Sequence, residues 1–412
     1  MPSADSPRLR VIVVGAGIAG LAAATALRDH EVIVLEQSRM NQEIGAAIHL
    51  GPNAARIAID RWGMKVENMG SPNVRWYKEI SFDGKPQINA PIDTIKGFGA
   101  PWLLNHRVDL HTELKRLATT SEGPGSPATV RTAAKVKSVD CEQGIVELED
   151  GETVHGDIIV GADGIHSVTR AAILGEKVVA QPTGHSAYRC LIPAEKVRAD
   201  PELAWLVDSS NPGLATFVAN DRRVVAYPCR RCEYLNIVAI IPDTSLAGES
   251  AQVWNAPGSV DELVEAFSAF SDNVKRMLRL APSCGLWQLR DQDPLPTWTK
   301  GRAIIIGDAA HAMLPHQGQG GGQAVEDAEA LGALFKGVTD PSRVPEVLQQ
   351  VQKVRYQRAT NIQGFSRQKA LGARDGETFT LNAQEFVPYN FGYNGAVEWA
   401  KKENIDLVSA QA

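Results

Sequence analysis

Residues 11–37, VIVVGAGIAGLAAATALRDHEVIVLEQ, hold two apolar, β-branched runs separated by three spaced glycines and an alanine-rich stretch. Such runs are typical of strands that are covered on both faces of a parallel sheet, and the stretch from Ile18 to Arg28 favours a helix. Gly15, Gly17 and Gly20 match the pattern G-x-G-x-x-G, and Glu36 ends the second run. This order predicts a β-α-β unit that binds an adenine dinucleotide.

Each residue of this motif has a physical reason. Gly15 permits a tight turn, Gly17 lets the backbone approach a pyrophosphate, and Gly20 lets the helix pack closely on the strand. The helix N-terminus directs free N–H groups and a partial positive charge toward the phosphates. Glu36 is placed to accept hydrogen bonds from the ribose hydroxyls, which favours FAD or NAD over NADP.

Composition sets limits on the class of protein. The chain has 412 residues, a net charge of −6, 44% hydrophobic and 22% charged residues, which indicates a globular protein of two or three domains without a nucleic-acid-binding surface. The N-terminus lacks the apolar segment of a secretory signal, and no run approaches the length of about 18 residues that a membrane span needs. We therefore expect a soluble, cytoplasmic protein, monomeric or homodimeric, with no membrane partner.

The cysteines also favour a cytoplasmic protein. The five cysteines are odd in number and scattered, as in a reducing compartment. Cys229 and Cys232 form a C-x-x-C pair, but no second pair completes a zinc site. We expect no metal.

Further along the chain the patterns of a buried parallel sheet and of an antiparallel sheet alternate. A hairpin is predicted at 79–89, a helix at 108–118, a small meander at 130–157, three antiparallel strands between 213 and 243, an amphipathic helix at about 260–280 and a long helix from about Gly322. The fold class is α/β, with a discontinuous Rossmann-like domain (1–75, 101–175 and 285–375) and an inserted β-rich domain (76–100 and 176–284). Residues 376–412 form a tail without an assigned role.

A second glycine-rich segment lies at 301–331, GRAIIIGDAAHAMLPHQGQGGGQAVEDAEAL. A buried strand leads into Gly307 and Asp308, and a loop with four glycines then opens a helix. Such a loop offers several N–H donors and a positive helix end to an anion. A reduced flavin carries negative charge, so this segment favours FAD as the dinucleotide.

Three motifs in order, GAGIAG with Glu36, GADGIHSVTR (161–170) and the GDAAH segment, resemble the single-component FAD-dependent aromatic hydroxylases, such as salicylate, 4-hydroxybenzoate and hydroxynicotinate hydroxylases. The resemblance covers roughly residues 9–370. It implies a 4-hydroxybenzoate hydroxylase-like fold with a helical C-terminal region. It also implies hydroxylation of a phenolic or heteroaromatic acid by NADH or NADPH and O2, through a flavin C4a-hydroperoxide.

The resemblance also implies which residues contact FAD. Asp308 would hold the ribityl chain, Gly320 and Gly321 would approach the isoalloxazine, and Arg107 would contact the linker. The remaining expected contacts are Val136 at the adenine, Asp163 near the pyrophosphate, Ala47, and Gln37, which stands where many relatives have an arginine or lysine. Asp163 is alternatively a helix cap.

Four residues are candidates for catalysis, because a phenol is a better nucleophile once ionised and a nearby cation or base promotes that ionisation. His49 resembles the flavin-proximal base of hydroxynicotinate hydroxylases, or is a histidine hydrogen-bonded in the domain interface. His316 is expected to line the substrate pocket, whereas His311 is expected to brace the Asp308 turn. Arg189 and Tyr227 would hold a phenolate or carboxylate, or else are a surface arginine and a core tyrosine.

Rival functions remain open at this point. The same fold serves epoxidases, dehydrogenases and reductases, and a non-catalytic dinucleotide sensor would carry the same first motif.

Overall fold

The computed structural model describes residues 8–39, 46–243, 255–371 and 383–407. Its strands, in chain order, are β1 (Arg10–Val14), β2 (Glu31–Leu35), β3 (Ala47–Leu50), β4 (Trp76–Ser81), β5 (Pro86–Pro91), β6 (Leu103–His106), β7 (Thr129–Arg131), β8 (Val136–Asp140), β9 (Ile145–Leu148), β10 (Thr153–His155), β11 (Ile158–Gly161), β12 (Gln181–Pro193), β13 (Leu214–Val218), β14 (Arg223–Cys229), β15 (Tyr234–Pro242), β16 (Asn255–Gly258), β17 (Cys284–Asp291), β18 (Thr299–Lys300) and β19 (Ala303–Ile305).

The helices, in chain order, are α1 (Ile18–Ala26), α2 (Pro52–Arg56), α3 (Val66–Met69), α4 (Thr94–Phe98), α5 (Arg107–Thr119), α6 (Val168–Leu174), α7 (Ala194–Arg198), α8 (Val260–Ala266), α9 (Asp272–Arg279), α10 (Asp308–His311), α11 (Gly320–Phe335), α12 (Val344–Leu371), α13 (Ala383–Phe391) and α14 (Ala396–Lys402). A π-helical turn, Ile57–Arg61, continues α2. The helix predicted at 260–280 is therefore two helices, because the chain leaves the helical path between Ala266 and Asp272.

The first sheet is built around the opening motif. Among the described residues, six strands pair in the order β18-β19-β11-β1-β2-β7, and β1 pairs in parallel with both β2 and β11. The strands at its centre are apolar throughout because helices cover both faces; Val11, Ile12 and Val13 of β1 are fully buried. Strands β8, β9 and β10 form the predicted meander beside this sheet.

The second sheet is predominantly antiparallel. Its order in the described residues is β16-β17-β12-β15-β14-β13-β4-β5, so the hairpin at 79–89 and the three strands between 213 and 243 meet in one layer. Strand β17 pairs with β12 in this sheet, although the sequence prediction places residues from 285 onward in the FAD-binding domain. Helices α8 and α9 cover one face, where Ile237 and Ala239 of β15 are fully buried. On the opposite face, Tyr227 clusters with Leu104 of β6 and Ile240 with Leu314, which follows α10.

The tail packs on the body of the molecule. Helices α13 and α14 lie against α11 and α12, and Tyr393 and Trp399 join the core of the first sheet. Residues 376–382 and 408–412 lie outside the described residues. The helical C-terminal region is thus an integral part of the fold.

Candidate active site

The glycine turn after β1 shows why each glycine is there. Gly15 has a φ of +97°, and a Cβ on it would lie 2.6 Å from the carbonyl oxygen of Ala162. A Cβ on Gly20 would lie 1.9 Å from the carbonyl oxygen of Gly15, so only glycine lets α1 approach the turn. Gly17 differs, because a Cβ there meets no protein atom within 4 Å. This open space over the turn fits the approach of a pyrophosphate.

Glu36 holds the same turn closed. Its Oε2 accepts a hydrogen bond from the Ala16 N–H at 2.8 Å, and its Oε1 accepts one from the Ser38 N–H at 2.7 Å. A carboxylate has about four acceptor sites, so each oxygen retains one for a ribose hydroxyl. Gln37, beside it, is exposed. The residues at this edge of the sheet fit an adenine dinucleotide.

Asp163 lies just before α6, whose N-cap residue is Ser167, and its carboxylate binds N–H groups at the start of that helix. Its carboxylate accepts hydrogen bonds from the hydroxyl of Ser167 (2.5 Å), the N–H of Val168 (2.8 Å) and both the N–H and hydroxyl of Thr169 (3.1 and 3.2 Å). The alternative of a helix cap is therefore present in the structure. A contact of Asp163 with FAD stays a prediction.

The third motif places Asp308 at the start of α10, exposed, after Gly307 with a φ of +58°. His311 Nε2 lies 2.7 Å from Asp327 Oδ2, and the same oxygen accepts the Gly307 N–H at 3.0 Å. Buried His311 thus braces the Asp308 turn, as predicted. Burial raises the pKa of Asp327, but His311 and Arg355 outweigh this effect and hold it at about 2.

Helix α11 begins two residues earlier than predicted, at Gly320 and Gly321. A Cβ on Gly320 would have no protein atom closer than 3.9 Å, which leaves space for a ring system. On Gly321 it would lie 2.8 Å from Ile48 Cδ1, so this glycine allows β3 to pass close to the helix start. His316 lies just before, in the turn Pro315–Gln317, and is half-buried.

His49 on β3 lies among aromatic side chains. The indole N–H of Trp102 donates to His49 Nδ1 at 3.0 Å, and the Tyr227 ring lies edge-on with a centroid distance of 6.2 Å. Burial lowers the pKa of His49 to about 4 and raises that of Tyr227. Both candidates are therefore neutral near pH 7. Ala47, two residues before His49, donates its N–H to Asn236 Oδ1 at 3.0 Å and ties β3 to the second sheet.

Arg189 lies on β12, on the face of the second sheet opposite to α8 and α9. On that face Val238 and Val225 are half-buried, as Arg189 is, whereas Ala187 and Ile240 are buried. The guanidinium lies over the Trp287 ring at 5.5 Å, and its Nε is buried without a hydrogen-bond partner. Burial lowers the pKa of Arg189, and the nearby Tyr227 partly offsets this effect. A buried donor without a protein partner is available to an acceptor atom of a ligand.

The other predicted contacts are spread around the turn and the meander. Arg107 is exposed at the first position of α5, and its positive charge lowers the pKa of Arg189. Val136 is buried at the start of β8. Arg230, in the turn after β14, forms an ion pair with Asp109 at 2.5 Å. Cys229 and Cys232 are buried free thiols.

Sequence reasoning missed Trp102 and the tail. Phe391 of α13 packs edge-on against Trp102 with a centroid distance of 5.3 Å, and Asn390 Nδ2 donates to Gln317 Oε1 at 3.2 Å. No local pattern marks these contacts. The one sequence feature that points to the tail contacts is the run of acidic residues in α11, EDAE, inside an otherwise apolar helix. Buried acids need cationic partners.

Those partners come from α12. Glu326 accepts hydrogen bonds from Arg355 (2.5 Å) and Arg358 (2.7 and 2.8 Å), and all three side chains are fully buried. Arg358 also donates to the carbonyl oxygens of Tyr389 (2.7 Å) and Asn390 (3.0 Å). This network fixes α13 beside the helix that begins at the glycine loop.

Two features are absent from the described ranges. None of their helices is long and apolar enough to cross a membrane. Nor do these residues include a group of three or more histidines, cysteines or acids placed to hold a metal ion.

Comparison with known proteins agrees with this geometry. Residues 260–366 match the model of a FAD binding domain, and residues 13–62 match an NAD(P)-binding Rossmann-like domain. The chain is 37% identical over 372 residues to the FAD-dependent monooxygenase cfoG of Aspergillus candidus, covering 88% of this chain and 85% of that protein. It is 34% identical over 365 residues to hispidin-3-hydroxylase of Neonothopanus nambi, covering 85% and 86%. A solved salicylate hydroxylase substrate complex has a TM-score of 0.77 at 28% identity and covers 98% of this chain and 100% of that one.

Proposed function

The chain belongs to the FAD-dependent monooxygenases, and from this premise we propose that it hydroxylates a phenolic or heteroaromatic acid, using O2 as oxygen source and NADH or NADPH as reductant. The products are the hydroxylated acid, water and the oxidised nicotinamide. When bound, FAD supplies the transfer of hydride from the nicotinamide and the activation of O2. The predictions of an FAD enzyme and of its α/β architecture are confirmed.

The observation that carries the substrate class is Arg189. A half-buried guanidinium with an unpartnered, buried Nε lies on the second sheet, over the Trp287 ring. Arginine can give a carboxylate two parallel hydrogen bonds or give a phenolate a fixed positive charge. Each unit by which such a charge lowers the pKa of a phenol corresponds to about 1.4 kcal/mol of preference for the anion. The names of two relatives, salicylate hydroxylase and hispidin-3-hydroxylase, support an aromatic substrate.

The other residues orient the substrate and the cofactor. Gly17, Glu36 and the start of α11 are the parts of the chain that would hold FAD, with Asp308 exposed at the intervening turn. Tyr227 offers a neutral hydroxyl near Arg189. The half-buried ring of His316 lies on the loop before α11. We place the enzyme in the cytoplasm, because all five cysteines are free thiols.

The test is a screen of phenolic and heteroaromatic acids for faster oxidation of NADH and NADPH, with mass analysis of the products. We expect at least one acid to accelerate oxidation and to gain one oxygen atom. Arg189→Met should lower kcat/KM for that acid roughly tenfold to a hundredfold, since a charge-assisted hydrogen bond contributes about 1.5–3 kcal/mol. Arg75→Met, at an exposed arginine, is the matched control. Turnover that needs no O2, or an Arg189→Met variant equal to the control, would refute the proposal.

A further inference from the structure

The hydrogen bond between Trp102 and His49 fixes where the imidazole carries its proton. An indole nitrogen only donates, so His49 Nδ1, 3.0 Å from Trp102 Nε1, must be the acceptor. The proton of the neutral ring is then on Nε2. A second proton on Nδ1 would place two N–H groups against each other and break this bond.

The surroundings of the ring also favour its neutral form. Burial lowers the pKa of His49 to about 4. The titratable side chain that contacts the ring is Tyr227, which is itself neutral, and the charge of Arg189 acts on Tyr227. On the loop before α11, His316 is the titratable group. None of these supplies a negative charge that would favour protonation of His49.

Gly318 packs directly against the Nε2 side of the ring. A Cβ on Gly318 would lie 1.7 Å from His49 Nε2, and its φ of +61° is a conformation that glycine adopts without strain, so only glycine fits here. Nε2 has no hydrogen-bond partner among the described residues. The neutral ring therefore holds an N–H donor beside the glycine loop without a protein acceptor for it.

We propose that His49 is a neutral hydrogen-bond donor that orients an oxygen of the aromatic substrate, with Trp102 as the positioning residue that fixes its tautomer, and that it is not the base that takes the phenol proton. This inference rests on the proposed function. The O–H bond of the phenol breaks with its proton passing to water, and the phenolate charge is paired with Arg189. The substrate oxygen then accepts the Nε2–H hydrogen bond.

The C-terminal tail contributes to the position of Trp102 through Phe391. Its ring packs edge-on against Trp102 at 5.3 Å and against Phe98 at 5.5 Å, so it helps to hold the indole in place. Asn390, the preceding residue, is held by Arg358. The C-terminal region thereby helps to fix the indole that sets the tautomer of His49.

The direct test is nitrogen NMR of the FAD-loaded enzyme labelled with ¹⁵N-histidine, with the His49 signal assigned by its loss in His49→Gln. We expect the Nε2–H tautomer, unchanged between pH 6 and 9. A signal that titrates in this range, or an Nδ1–H tautomer, would overturn the inference. This readout does not need turnover, so an enzyme with the expected tautomer but no aromatic hydroxylation would contradict the proposed function alone.

Variants supply a second test. Trp102→Phe removes the donor that selects the Nε2–H tautomer but leaves the ring buried, so the His49 nitrogen signals should show both neutral tautomers, still without titration between pH 6 and 9. Trp205→Phe removes an indole that donates to the Glu202 carbonyl away from the site, and should leave the tautomer unchanged. His49→Gln, whose amide can accept from Trp102 and donate onward, should keep kcat within about tenfold. A loss of 10²–10⁴-fold, the usual contribution of a general base, would refute the donor role.

Discussion

Placing the same methyl group at Gly20 and at Gly17 should have opposite consequences. At Gly20 the added Cβ would lie 1.9 Å from the Gly15 carbonyl oxygen and 3.3 Å from Val13 Cγ1. Because the nearer atom belongs to the backbone of a buried turn, it cannot rotate away. Alanine gains up to about 1 kcal/mol of helix propensity over glycine, but this gain does not offset so close a contact.

The expected magnitudes follow from these contacts. Gly20→Ala should lower the free energy of unfolding by about 1–3 kcal/mol, the usual cost of overpacking. At Gly17 the φ of −72° suits any residue and the added methyl group meets no protein atom within 4 Å. Gly17→Ala should therefore leave the apoprotein equally stable, or more stable by about 0.4–1 kcal/mol, because it restricts the unfolded chain.

Gly17→Ala and Gly20→Ala should also be distinguished by their affinity for FAD. The methyl group of Gly17→Ala would occupy the space where the pyrophosphate approaches the turn, so its Kd for FAD should rise at least tenfold, about 1.4 kcal/mol. Stability is measured on the apoprotein by urea unfolding, and the Kd by quenching of FAD fluorescence. A Gly20→Ala protein as stable as the parent, or a Gly17→Ala protein that binds FAD as tightly, would refute the assignment of these two positions.

Three further predictions concern the buried charges and the cap. Glu326→Gln should cost about 3–5 kcal/mol of unfolding free energy because it leaves Arg358 buried without a carboxylate, whereas exposed Glu346→Gln should change it by less than about 0.5 kcal/mol; urea unfolding measures both. Asp327, with its pKa lowered to about 2, should stabilise the fold above pH 4 and lose this contribution as the pH falls toward 2, so the melting temperature should drop in that window. Asp163→Ala should cost about 0.5–2 kcal/mol as a lost helix cap, and an unchanged melting temperature would exclude the cap.

Much of the architecture was predictable because its signals are local. The apolar runs around Gly15 and the acid at Glu36 predicted the β-α-β unit, and the hairpin at 79–89 followed from its turn residues and alternation. The single helix predicted at 260–280 was wrong, since an amphipathic period continues across a short break that only packing reveals. The role of residues 376–412 was not predictable, because their partners lie on α11 and α12.

In the candidate site, too, some residues were predictable from the sequence and others were not. The sequence selected Arg189, Tyr227 and His49 as candidate site residues, whose roles stay predictions, and it predicted the bracing position of His311. It did not identify Trp102, which lies 53 residues from His49 in the chain, nor Phe391 behind it. As a result the favoured role of His49, a base, differs from the donor role that its hydrogen bond supports.

The sequence alone determined the dinucleotide turn, the class of cofactor and the alternation of buried and exposed strand faces, because each depends on residue types at short, fixed spacings. Tertiary structure alone decided the tautomer of His49, the unpartnered Nε of Arg189 and the pairing of Glu326 with Arg358. These properties depend on which distant groups meet and how far water is excluded from them, and no spacing along the chain encodes that.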